Sequence, residues 1–343
     1  MTDMAGTLPE PVGLVVIGRN EGERLKTCLR SVTGAGPVVY VDSGSTDGSV
    51  AFARAIGAIV VELAVPPNFT AARARNAGIA ALVAAAPDVA FVQTIDGDCE
   101  MDAGWLAQGL ATLRADAGLG AVTGRLRERY PERSLYNALC DHEWNGVPGE
   151  VPEFGGIVLL RMQALDDAGL YRETMIAGEE PELALRMRSA GWRVRRIAAG
   201  MALHDADMTR FSQWWKRTRR GGHAFAEQAY LHPGARSPDW SRTCRSIIAW
   251  GGLLPLIAIS AAALASVMPW MLVVTALAGM LYPAKMLQIA MAKRAAGVPP
   301  RLAAMIGFLF MFGKIPQLLG LIEFHRNRRR GRSSAIIEYK GAA

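Results

Sequence analysis

At 343 residues the chain is long enough for one large domain or two ordinary ones. Its formal net charge of +7 would suit phosphates or an anionic membrane face as well as nucleic acid, so charge alone selects no partner. Four cysteines, Cys28, Cys99, Cys140 and Cys244, lie scattered without CxxC spacing, which argues against a zinc ribbon or a disulfide framework and for a reducing compartment.

The N-terminus, MTDMAGTLPEP, carries acids and prolines where a signal peptide would carry basic residues and an apolar run. Val12 to Ile17 reads as a strand. Glu21 to Val32 then has helical spacing, with Leu25, Cys28, Leu29 and Val32 on one side. PVVYVDSGSTDGSV passes from strand through polar loop into a helix around Val50 to Ile56. Ile59 to Leu63 is a third strand, Ala71 to Ala86 a helix and Val89 to Ile95 a fourth strand. This alternation predicts a mostly parallel sheet with helices on both faces. Ligands of such sheets bind at the carboxyl ends of the strands, where the acid-rich loops Asp42 to Asp47 and Asp96 to Asp102 fall.

In the second of these loops, FVQTIDGDCEMD, residues two apart on extended chain share a side, so Asp96 and Asp98 can converge on one hard divalent cation. A solvated turn around Gly97 satisfies the same letters, and the spacing alone leaves both readings open. Farther on, EFGGIVLLRMQAL reads as loop, strand and short helix, Pro181 to Ala190 as a helix, and Trp192 to Ile197 as a strand.

The last third of the chain changes character. Few charges fall between Ile247 and Ala292, and the segments 247–265 and 271–292 are each long enough to cross a bilayer core of about 30 Å, forming a hairpin. Arg242, Arg245, Lys293, Arg294 and Arg301 flank it and predict that both ends are cytoplasmic. Residues 302–324 are expected to form an amphipathic helix in the interface, leaving the cluster Arg326 to Arg332 on the cytoplasmic side; a third span is the alternative. The resulting division is an α/β domain over 10–240, a membrane region over 245–332 and a tail over 333–343.

Six segments in order, VVIGRNEGERLKTCLRSV, VDSGSTDGSV, AARARNAGI, IDGDCEMDAGWL, FGGIVLLRMQAL and GEEPELALRMRSAGWRV, resemble the family 2 glycosyltransferases over roughly residues 12 to 220. The resemblance implies an α/β GT-A fold, a Rossmann-like nucleotide-diphospho-sugar transferase domain, here followed by an α-helical membrane region. It implies inverting transfer from a UDP- or GDP-linked sugar with Mg2+ or Mn2+ as cofactor. Glu21 and Asp42 would bind the nucleoside, while Asp47 suits the start of the helix after its loop. Arg75 and Asn76 would line the donor site. Asp98 would be the main metal ligand, Asp96 would bridge ribose and metal, and His204 would be a further ligand or a structural histidine.

Glu180 falls where the family places its catalytic Asp, with Glu179 able to share the role; acids at a helix start also complement its dipole. Gly155 and Gly156 would let backbone approach the sugar or acceptor. Arg217 is expected on the acceptor side, within a basic cluster, Lys216 to Arg220, that closes over the diphosphate or rests on lipid headgroups. Gln213-Trp214-Trp215-Lys216-Arg217 does not reproduce the processive signature QxxRW, because Arg217 comes one place late. Taken together the expectation is a membrane-associated enzyme on the cytoplasmic side of the inner membrane. It would glycosylate a lipid-linked acceptor for an exopolysaccharide or cell-envelope pathway, with membrane lipids and no nucleic acid as partners. The rival readings are a nucleotidyltransferase of related fold and a non-catalytic nucleotide-sugar-binding scaffold subunit.

Overall fold

Strand β1 (Val12–Gly18) shows how the sheet is covered on two sides. Val12, Leu14 and Val16 enter one apolar cluster, and Val15 and Ile17 enter another, as the two-residue period of a strand requires. The computed structural model describes residues 11–64 and 69–332; the tail 333–343 and residues 10 and 65–68 of the expected α/β domain lie outside them.

The elements follow in order as α1 (Glu23–Val32), β2 (Val38–Asp42), α2 (Ser49–Ala55), β3 (Ile59–Glu62), α3 (Ala71–Ala85), β4 (Phe91–Asp96), β5 (Cys99–Met101), α4 (Trp105–Ala115) and β6 (Leu119–Glu128). Next come α5 (Leu135–Trp144), β7 (Gly149–Glu150), β8 (Val158–Arg161), α6 (Met162–Ala168), α7 (Glu179–Ser189) and β9 (Arg193–His204). The helix α1 buries Leu25, Cys28, Leu29 and Val32, the stripe its spacing predicts.

The sheet order is β3-β2-β1-β4-β8-β6-β9-β5, with β7 paired to β9. β3, β2, β1 and β4 are parallel, while β8 runs antiparallel to both β4 and β6, and β5 antiparallel to β9. The sheet is therefore mixed rather than mostly parallel. Its second half came from segments without a clear apolar period: β6 carries two arginines, and β9 carries three and extends past Ile197 to His204.

The chain divides into two compact units, the first running to Tyr130 and from Cys140 to Asp207, the second holding Pro131–Leu139 and the described chain from Met208 onward. The second unit contains α8 (Phe211–Leu231), α9 (Trp240–Ile248), a π-helical turn over Ala249–Leu253, α10 (Leu254–Leu264), α11 (Met271–Ala295), α12 (Pro300–Phe312) and α13 (Lys314–Arg329). The split falls at residue 207 rather than near 240 because α8 packs on α13. A Cβ at Gly222 would stand 2.0 Å from the Gln317 carbonyl, and one at Gly320 would stand 1.9 Å from that of Arg219, so glycine alone allows the two backbones to meet. Arg219 adds an ion pair to Glu323 at 2.7 Å.

Trp240–Leu264, Met271–Ala295 and Pro300–Arg329 are each long and apolar enough to cross a membrane. The first two are almost bare, with 11% and 6% of their apolar windows buried, whereas half of the third is covered. That third stretch is two helices meeting at Gly313 rather than the single helix expected over 302–324.

Candidate functional site

Register alone brings the acid-rich loops together. Gly18 pairs with Asp42 and Ile17 with Asp96, so the two aspartates end their strands at nearly the same level, on either side of β1 and about 10 Å apart. Asp42, buried at 2%, accepts the Tyr40 hydroxyl on one oxygen and the Gly44 and Ser45 amides on the other. Asp47 accepts the Gly22 amide at 2.8 Å and the Ser49 amide at 3.1 Å, which joins the β1 loop to the start of α2. Asn20, at φ 54, completes the lacing by accepting the Thr46 amide. Glu21 lies beside this rim in an ion pair with Arg24 at 2.8 Å.

Gly97 turns the chain between β4 and β5 under tight cover, its amide donating to the Ile17 carbonyl at 2.8 Å. The two aspartates around it acquire different partners. Asp96 pairs with Arg75 at 3.0 Å, whereas Asp98, 3% exposed, meets His204 Nε2 at 3.1 Å.

Arg75 is a junction. The helix α3 delivers its guanidinium into the interior at 2% exposure, where it contacts Asp96, Glu179 at 2.9 Å and Glu180 at 3.1 Å. Burial opposes its charge, but the carboxylates of Glu180, Asp96 and Glu179 outweigh that and keep it protonated. Three carboxylates around one guanidinium leave an excess of negative charge. Burial, then the charge of Glu179, push Glu180 up to about 7 against the pull of Arg75. Side-chain exposure rises from 3% at Glu179 to 16% at Glu180 and 36% at Asp96, so the last two can meet a substrate. Gly156 is held to glycine by this junction: a Cβ there would stand 2.4 Å from Arg75 Nη2 and 2.8 Å from Asp96 Oδ2. Gly155 faces open space.

Asp98, Cys99 and His204 form a group whose ligand atoms lie within 4.8 Å of one another. The β5–β9 pairing makes it, since Cys99 stands opposite His204. An oxygen and an imidazole nitrogen at this spacing suit a divalent cation. Asp96 lies outside the group. The Cys99 thiol donates to Asp98 at 3.4 Å and is pushed well above its ordinary range by burial and by the charge of Asp96. Trp144 covers the His204 ring at 4.6 Å.

Asn76 works as a clamp: its amide donates to the Tyr171 carbonyl and to Glu173, and its carbonyl accepts the Tyr171 amide. Arg217 lies on α8, in the second unit. Sequence reasoning missed Cys99 and Tyr171, whose ring lies 5.5 Å from the Arg75 guanidinium. The only signal for Cys99 was its place directly after the second aspartate; Tyr171 gave none.

The family described as "Glycosyl transferase family 2" matches residues 14–159. A pre-mycofactocin glycosyltransferase of Mycobacterium tuberculosis is 28% identical over 247 residues, 68% of this chain and 51% of the relative. An uncharacterised glycosyltransferase of Mycobacterium bovis is 32% identical over 200 residues, 56% of this chain and 84% of the relative. The chain thus spans about half the length of the first of these relatives. Among solved structures, a mannosyltransferase from Pyrobaculum calidifontis in complex with GDP-Man and Mn2+ shares the fold. Its TM-score is 0.58 and its identity 20%, with 94% of this chain and 90% of that one covered.

Proposed function

Because this chain belongs to glycosyltransferase family 2, we propose that it moves one sugar from a UDP- or GDP-linked donor to a lipid-linked acceptor, with inversion and with the help of Mg2+ or Mn2+. The observation that carries this reading is the Arg75 junction, which joins the end of β4 to the start of α7 in one charge network. A transferase needs its donor-phosphate groups and its acceptor base close together and in fixed relation.

Asp98 and His204 would hold the cation, which their grouping supports, and Asp96 is assigned to the donor ribose beside it. When bound, the metal supplies positive charge that offsets the charge developing on the leaving diphosphate. Glu21 and Asp42 are assigned to the nucleoside, at the laced rim of β1 and β2. Glu180 takes the proton from the attacking acceptor hydroxyl, and its accessibility and upward-shifted pKa suit a base working near neutral pH. Glu179, sealed against Arg75, positions that guanidinium and keeps the proton affinity of Glu180 high. Three apolar helices support attachment to a membrane; we assign the cytoplasmic side of the inner membrane on the flanking basic residues.

The test is a panel of radiolabelled UDP- and GDP-sugars with Mn2+ or Mg2+, incubated with membranes holding the wild-type protein, Asp98→Ala or Glu180→Gln. Label should reach the lipid extract with wild type alone. Donor binding with no sugar reaching lipid or water would sink the transferase reading in favour of a scaffold subunit. Full turnover in Glu180→Gln would remove that residue as the base.

A further inference from the structure

The β6–β9 pairing loses register beside a cleft. Thr123 pairs with Arg196 and Arg125 with Gly200, so β9 advances four residues while β6 advances two, and the chain between bows out of the ladder. The cleft has a volume of about 450 Å³ and is lined by Arg125, Arg127, Arg196, Asn145, Gly200 and Asp102, the last the one acid among three guanidinium groups.

Two devices hold the arginines in place. Arg125 and Arg127, two apart on β6, share a face. Arg125 Nη2 donates to both oxygens of Asp141 at 2.8 Å, and Arg127 Nη2 to both oxygens of Asp102 at 2.8 Å. Arg196 is oriented through Nη1 by the carbonyls of Gly124 at 3.3 Å and Trp144 at 3.1 Å. Its Nε is buried with no hydrogen-bond partner among the described residues. Gly146 gives the guanidinium its room, since a Cβ there would stand 2.8 Å from Arg196 Cζ. Burial and the facing charge of Arg125 weaken the hold of Arg196 on its proton, a repulsion that an anion between the two would relieve.

We propose that this cleft is a second anion-binding site that takes a phosphate-class group. Planar guanidinium forks from two strands match phosphate oxygens. Gly200 lies four residues along β9 from His204, about 13 Å of strand, so one phosphate cannot serve both the cleft and the metal group. The proposal goes beyond the transferase reading and stands or falls without any transfer being measured.

The full chain in detergent is titrated calorimetrically with inorganic phosphate and, in a second arm, with a short-chain phosphatidic acid. Saturable binding is expected in wild type and undiminished in Asp98→Ala. It should weaken about tenfold or more in Arg127→Gln, whose side chain is 47% exposed and safe for folding, and in Arg196→Gln. Tighter binding of the lipid assigns the site to a headgroup; binding of phosphate alone assigns it to a soluble anion. No saturable binding in either arm, equal binding in Arg127→Gln, or loss in Asp98→Ala overturns the proposal.

Discussion

Arg75 and Glu179 form an ion pair that water barely reaches, at 2.9 Å with side-chain exposures of 2% and 3%. The same guanidinium also holds Asp96 and Glu180, so one residue of α3 ties the end of β4 to the start of α7, two distant parts of the chain.

Replacing Arg75 with Met should therefore damage both fold and activity. Three carboxylates would be left around an uncharged side chain, and breaking a buried pair on one side costs about 3–5 kcal/mol. Thermal unfolding followed by circular dichroism should show a clearly lower midpoint, and Arg75→Lys should not restore it, because a point charge cannot bridge three partners. An unchanged midpoint in Arg75→Met would refute the junction as a structural element.

Glu180→Gln should lower kcat by about a hundredfold or more while donor binding survives. In wild type, activity should rise with pH through an acid limb near 7, as the carboxyl loses its proton among Arg75, Glu179 and Asp96. Stability runs the opposite way. A carboxyl whose folded pKa is raised favours the folded state fully below its unfolded pKa, and that contribution is lost as pH rises through about 7. Glu180→Gln should abolish both dependences, which rate and unfolding profiles measured in parallel would reveal.

Gly156→Ala should be costly and Gly155→Ala nearly silent. The first places a Cβ 2.4 Å from Arg75 Nη2, while the second meets nothing within 4 Å. We expect a loss of about 1–3 kcal/mol or a matching loss of activity for Gly156→Ala alone. Equal behaviour of the two variants would contradict the crowding at Asp96.

Chelation should abolish transfer, and added Mn2+ or Mg2+ should restore it. Loss of a ligand ought to cost at least as much as loss of an outer-shell partner, about 10- to 100-fold in metal affinity, so His204→Ala should need correspondingly more metal. Electron paramagnetic resonance of bound Mn2+ would read this without turnover; wild-type affinity in both His204→Ala and Asp98→Ala would place the metal elsewhere.

What the sequence determined by itself is what repeats along the chain or follows a fixed order. The alternating strands and helices from Val12 to Ile95, the buried stripe of α1 and the apolar final third were all legible as periodicity. The positions of Asp42, Asp96 and Asp98 at strand ends followed from motif order. Folding alone decided which acid meets which partner. Asp96 and Asp98 are two residues apart, yet Gly97 sends one to Arg75 and the other to His204, because β5 leaves β4 to pair with β9. The mixed second half of the sheet and the passage of α8 into the second unit depend on long-range pairing and on close backbone contact at Gly222 and Gly320, which no local pattern records. Charges separated by more than a hundred residues, such as Arg75 and Glu179, interact only once the fold has excluded the water between them.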